Sequence, residues 1–260
     1  MRWENISLWL ILLLIFLAEA VFTYYDSSLG LLINFFVILL TVSAAVAARK
    51  THFRMVFGAI PVILFIRVFN ASLPLPLLSA MAQTFVIYIL VIFIGLLMVR
   101  FLSDFTLEDL GLWNVLKARS PFVLVAAVFL GAISGFIEHV INPAPASMVV
   151  AFNWNDLLLL STSMIFLVGF GEELLFRGVL LNSLLKSMGE VASLVYSSIF
   201  FAVMHTIWKE HVLVLAFTFV FSMVLGFIFL KTRNLPAITV VHGASNIFWL
   251  GVFPHFLPAF

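Results

Sequence analysis

Cysteine is absent from this 260-residue chain, and charge is scarce. Without cysteine there is no disulfide framework, no thiolate metal site and no cysteine nucleophile. Asp, Glu, Lys and Arg make up 10% of the residues, against about 25% in an ordinary soluble domain. Neither sign dominates, because 13 Lys and Arg stand against 12 Asp and Glu. No basic surplus exists to grip nucleic acid. The alternation of period two that a membrane barrel requires is missing as well. What fills the chain instead is apolar residues, 64% of the total, where soluble domains carry about 45–50%. The composition predicts an all-α, polytopic transmembrane bundle whose main partner is the lipid bilayer.

A helix needs about 20 mostly apolar residues to cross the hydrocarbon layer. Runs at 5–24, 28–49, 54–70, 77–99, 121–141, 157–182, 190–207, 211–230 and 236–252 meet that need or approach it. Nine spans are expected, or eight if the short 54–70 run, which contains Arg67, is re-entrant. Prolines 74, 76, 121, 143, 145 and 236 sit at or between the runs, where a proline starts or ends a helix. With nine spans, Arg2, Arg49, Lys50, Arg54, Arg100, Lys117, Arg119, Lys186, Lys231 and Arg233 all fall on one side. Only Lys209 falls on the other, which by the positive-inside rule puts the N-terminus inside. Uncleaved helices in a cysteine-free chain fit a prokaryotic plasma membrane. Ala18-Glu19-Ala20 imitates a signal-peptidase site after the first apolar run, but its glutamate favours an uncleaved first helix. Between Arg100 and Ser120, Leu107, Leu110, Leu112 and Leu116 recur beside Asp104, Glu108 and Asp109. That spacing predicts a short amphipathic helix on the inner membrane face.

Each ionisable group inside a span costs about 2.5–3.5 kcal/mol on insertion scales, so each is a functional candidate. The inventory is Glu19, Arg67, Glu138, His139, Glu172, Glu173, Arg177, His205 and His242. Five of the nine crowd into the last third of the chain. Glu173 and Arg177 are four residues apart and therefore neighbours on one helix face. Glu172 lies about 100° around the helix from Glu173 and has no evident local cation. Two adjacent carboxylates in different surroundings can take different roles. His205 closes the run Phe201-Ala-Val-Met-His205, and His242 and Asn246 sit one turn apart with small residues between them. Small residues let another backbone or a substrate come close. A carboxylate, two imidazoles and an amide on three nearby helices are what water-mediated amide hydrolysis requires. A carboxylate can take a proton from water, an imidazole can hold that water, and N–H donors can stabilise the oxyanion.

These residues resemble the motifs of the CAAX-protease and bacteriocin-processing (Abi) family, that of the Rce1-type intramembrane glutamic endopeptidases. The matching patterns are Glu172-Glu173-x-x-x-Arg177, Phe201-x-x-x-His205 and His242-x-x-x-Asn246. Further similarities are the Leu-Leu-Phe-Arg-Gly stretch after the glutamates, Leu225-Gly226 and 231–235. Thr106 to Leu112 is similar to the amphipathic segment that precedes the family's core. The resemblance spans 104–250, so residues 101–260 are expected to form a protease core. Residues 1–100 are expected to be N-terminal membrane helices outside it.

The resemblance implies Glu172 as general base with His205 holding the attacking water. It implies His242 and Asn246 as oxyanion stabilisers, and Glu173 with Arg177 as a site-shaping ion pair. It also implies a buried cavity open laterally to lipid, and no metal or other cofactor. Eukaryotic members remove three residues after a prenylated cysteine, and many prokaryotic members act on other substrates. A membrane-associated peptide, prenylated in the CAAX case, is the expected partner. Three alternatives remain at this level. Glu172, His205 and His242 could supply three ligands to zinc, although His-Glu-x-x-His is absent. The same cavity could serve a membrane chaperone or bacteriocin-immunity protein without hydrolysis. A proton-coupled transporter is the third, against which no inverted repeat is visible.

Overall fold

The computed structural model describes residues 3–72, 80–112, 121–144, 147–149, 152–205 and 212–257, which are almost wholly helical and contain no strand. Five long helices come first: α1 (Trp3–Tyr24), α2 (Ser27–Ala47), α3 (Thr51–Ser72), α4 (Ala80–Leu102) and α5 (Pro121–Ile141). Then comes α6, a continuous rod from Trp154 to Met188 that turns π-helical at Ser163–Gly169 and again at Leu174–Leu181. Gly189, at φ 78°, breaks the rod from α7 (Glu190–Val203). The bundle closes with α8 (Val212–Thr232) and α9 (Leu235–Ile247), which continues in a wide turn at Phe248–Val252. Asp26, Asn153 and Asn234 cap α2, α6 and α9 by accepting a backbone N–H with their side chains.

Among the described residues, seven helices are long and apolar enough to cross a bilayer: α1 to α5, α8, and α9 with its extension. The other two expected spans differ for physical reasons. The rod α6 carries Glu172, Glu173 and Arg177 at its middle, and α7 has 14 residues, about 21 Å of helix. The third run, which Arg67 made doubtful as a span, is a full 22-residue helix with Pro61 inside it. The chain is an integral, multi-pass membrane protein built as a polytopic helical bundle. Leu10, Phe35, Phe36, Phe93, Phe122 and Phe129 are exposed on its outer faces. In water such faces would drive aggregation; in lipid they meet their natural solvent.

The described part of the expected inner-face amphipathic helix is a single turn. Thr106 donates its backbone N–H and its hydroxyl to Asp109, and the Asp109 N–H returns a bond to Thr106 Oγ1. These bonds from Thr106, the backbone one foremost, hold the Asp109 carboxyl below its ordinary range. Leu110 turns inward and is buried against Phe229, Leu235 and Ile238. Leu116 lies outside the described residues.

One apolar core joins the two halves of the sequence. Leu8, Ile15, Ile63 and Val91 from the first hundred residues pack in the same cluster as Leu175, Val179, Tyr196 and Phe200. Tyr196 also donates its hydroxyl to the Leu8 carbonyl at 3.1 Å. The N-terminal helices therefore share one packed core with the helices that carry the motif residues.

Candidate active site

The six candidate residues come from three helices. Glu172, Glu173 and Arg177 lie mid-way along α6, Glu172 and Glu173 between its two π-helical stretches and Arg177 in the second. Wide turns of this kind recur at functional sites, because they re-aim side chains that a regular helix would hold elsewhere. His205 follows the end of α7, and His242 and Asn246 lie on α9. Close backbone approach brings α9 to α6. A Cβ on Gly243 would stand 2.7 Å from Ile165 Cα, and one on Gly169 would stand 3.0 Å from the Thr239 carbonyl oxygen. Only glycine fits such a crossing, which is the close approach expected of the small residues around His242.

At that crossing Glu173 is fully buried and its Oε1 accepts two bonds. One comes from Arg177 Nη1 at 2.8 Å, as the four-residue spacing predicts, and the other from His242 Nδ1, also at 2.8 Å. Arg177 Nη2 donates to Ser222 of α8, to the carbonyl at 3.0 Å and to the hydroxyl at 2.8 Å. Its guanidinium lies over the Phe201 ring, 4.9 Å from the centroid. A buried charge needs pairing and hydrogen bonding to be tolerated, and this one is paired with Glu173 and makes three hydrogen bonds.

Glu172 is held differently. It is buried, and no guanidinium bonds to it. Its Oε1 accepts the hydroxyl of Tyr88 from α4, while its Oε2 has no hydrogen-bond partner among the described residues. That free oxygen lies 3.8 Å from His242 Nε2. His242 thus stands between the two carboxylates, its Nδ1 on Glu173 and its Nε2 toward Glu172. Two atoms at that separation can both reach one water at about 2.8 Å.

His205 donates Nδ1–H to the Phe201 carbonyl at 2.8 Å, which leaves Nε2 as an acceptor. It shares no hydrogen bond with Glu172, though it lies within electrostatic range of both Glu172 and His242. Phe201 is the wedge between the parts: its ring packs edge-on to His242 at 5.8 Å and tilted against His205 at 4.6 Å. Asn246, half-buried one turn along α9 from His242, makes no side-chain hydrogen bond to the described residues. Its amide is available.

The sequence did not single out Tyr88, Ser222 or the cation-binding face of Phe201. The signals were thin: one tyrosine and one serine inside otherwise apolar runs, and the aromatic that opens the second motif. Among the described residues no group of three or more His, Asp or Glu side chains is placed to hold a metal ion.

Residues 153–248 match the model of the family described as type II CAAX prenyl endopeptidase, Rce1-like. All six candidate residues fall inside that stretch, and over it the chain is similar to this family of CAAX-type intramembrane proteases. Residues 104–152, where the resemblance also extended, lie outside the match. No curated protein and no solved structure matches the chain.

Proposed function

We propose that this protein is an intramembrane endopeptidase of the glutamic type, acting on a membrane-associated peptide without a metal. The observation that carries the proposal is the placement of His242 between a carboxylate paired with a guanidinium, Glu173, and one that no guanidinium bonds, Glu172, whose unbonded Oε2 lies 3.8 Å from His242 Nε2. Glu173 Oε1 is held by Arg177 and His242, and we assign this ion pair the structural role. Glu172 Oε2 can accept a proton.

In the proposed reaction a water is held by Glu172 Oε2 and by the acceptor Nε2 of His205. Glu172 takes its proton as the water oxygen bonds to the scissile carbonyl carbon. The oxyanion that forms is met by the Asn246 amide and by His242 Nε2–H. Because His242 Nδ1–H is given to Glu173, Nε2 donates only in the imidazolium form, in which the ring bridges the two carboxylates. Collapse of the tetrahedral carbon breaks the C–N bond, and Glu172 returns its proton to the leaving amine. Tyr88 fixes the other oxygen of the base. The similarity over 153–248 favours a prenylated CAAX peptide as substrate. With α6 and α7 also crossing, the basic residues Arg49, Lys50, Arg54, Arg100, Lys186, Lys231 and Arg233 share one side and favour an N-terminus inside, and the cysteine-free chain fits a prokaryotic plasma membrane.

The test is cleavage of a farnesylated CAAX peptide and its unprenylated twin by purified protein in detergent, beside Glu172→Gln. The exchange conserves volume and removes the proton acceptor. Cleavage confined to the farnesylated peptide and lost in Glu172→Gln is expected. A Glu172→Gln protein that melts like wild type and keeps more than a tenth of the rate overturns the general base. Cleavage of neither peptide overturns the CAAX substrate.

A further inference from the structure

We infer that the buried Glu19–Arg67 pair, remote from the motifs, is a positioning device for His205, so that the N-terminal helices take part in the reaction. The kinetic side of this inference rests on the hydrolytic reading above; its structural side does not. Arg67 of α3 is 3% exposed and Glu19 of α1 is fully buried. Arg67 Nε donates to Glu19 Oε2 at 2.7 Å, and Asn34 Nδ2 of α2 donates to Glu19 Oε1 at 2.9 Å. Three helices are joined by these bonds. The guanidinium also lies over Phe22, 5.4 Å from the ring centroid.

A pair that only glued helices together would end there. Arg67 instead forks outward, and its Nη2 donates to the carbonyl of Met204 at 2.9 Å. Met204 caps the C-terminal end of α7 and is the residue before His205. The last carbonyls of a helix have no partner within it. A cation there satisfies one of them and complements the helix dipole. The same last turn sets the direction of the His205 ring, since His205 Nδ1 bonds back to the Phe201 carbonyl within it. Arg67 therefore clamps from outside the turn that His205 holds from inside. The two intramembrane charges lie outside the motifs in sequence, and the clamp accounts for where they are aimed.

Two variants of the full-length protein in detergent test this. Arg67→Lys keeps the charge beside Glu19 but lacks the planar fork that serves two acceptors at once. Glu19→Gln/Arg67→Gln removes both charges, so neither partner is stranded. Both should unfold within a few degrees of wild type. Both should exchange the amides of residues 200–205 at least tenfold faster, since exchange reports local opening. In both, kcat should fall at least tenfold with KM within twofold of wild type. Unchanged exchange in both variants overturns the clamp, whatever happens to kcat. Faster exchange with wild-type kcat, beside an inactive Glu172→Gln, also overturns it. A fully active Glu172→Gln would instead remove the hydrolytic reading, and exchange over 200–205 then decides alone whether Arg67 holds the helix end. Should the double variant fail to fold, the exchange and kcat of Arg67→Lys decide in the same way.

Discussion

Replacing Glu173 by alanine leaves Arg177 and His242 without the carboxylate oxygen they share. Breaking a buried ion pair by removing one partner costs about 3–5 kcal/mol, because the other charge stays behind in low dielectric. Arg177 would keep its two bonds to Ser222 and its place over Phe201. Those contacts put the loss near the lower end, about 3 kcal/mol. His242 loses its orienting partner as well, and a hydrogen bond to a charged group contributes about 1.5–3 kcal/mol. The two terms share one oxygen and do not add in full. Glu172→Ala removes less: one bond from Tyr88, leaving a phenol unsatisfied at about 1–3 kcal/mol. Its other oxygen has no hydrogen-bond partner to lose among the described residues. Glu173→Ala should therefore be the less stable of the two by at least about 1 kcal/mol. Reversible unfolding in mixed micelles of rising dodecyl sulfate fraction measures both. Glu173→Ala/Arg177→Met should recover at least half the loss, since it strands no cation. Equal stabilities for the two single variants, or a double variant no better than Glu173→Ala, would refute the shared-carboxylate account.

Tyr88→Phe deletes the bond to Glu172 Oε1 and little else. About tenfold in kcat should be lost at unchanged KM, and an undiminished kcat would show that the phenol does not hold the base. Asn246→Ala should lower kcat by about 10²–10³ with little change in KM, as loss of an oxyanion donor does. Asn246→Asp should be at least as damaging, because it puts an acceptor where negative charge develops; an Asp variant as active as wild type ends that role. Incubation with a strong chelator should leave the rate intact, and full loss restored by zinc would replace the glutamic mechanism with a zinc-dependent one. If Glu172→Ala and His205→Ala both retain biological function, the cavity serves binding, as in a membrane chaperone or immunity protein.

Much of the bundle was legible because a membrane imposes length and apolarity on each crossing, and a four-residue spacing forces Glu173 toward Arg177. The rest was hidden for identifiable reasons. Arg67 read as a defect in a short span because its counter-ion, Glu19, lies 48 residues earlier. That partner also explains the glutamate that made the first run look poor as a cleavage site. The bond from His242 to Glu173 crosses 69 residues, and no local pattern encodes it. The first π-helical stretch of α6 packs closely on α9 at Gly169 and Gly243, and periodicity reads both stretches as ordinary helix. The same holds for Tyr88, whose hydroxyl reaches Glu172 only because Gly171 has no side chain. A Cβ there would stand 3.1 Å from the Tyr88 ring.

Charge balance among the buried carboxylates supports assigning the proposed general base to Glu172 rather than to Glu19 or Glu173. Three carboxylates are buried among the described residues: Glu19, Glu172 and Glu173. Two buried guanidiniums accompany them, and each is committed, Arg67 to Glu19 and Arg177 to Glu173. These pairs are neutral as units and tied into backbone carbonyls on neighbouring helices, so moving a proton on either would break several bonds at once. Glu172 is the acid left over. Its bonding partner is a phenol and its neighbour is an imidazole, both of which can adjust to a proton gained or lost. A low-dielectric interior makes every unpaired charge costly, so this bundle pairs two carboxylates with arginine and leaves the third to a tyrosine and a histidine, and it is to that third one that the proposed proton transfer is assigned.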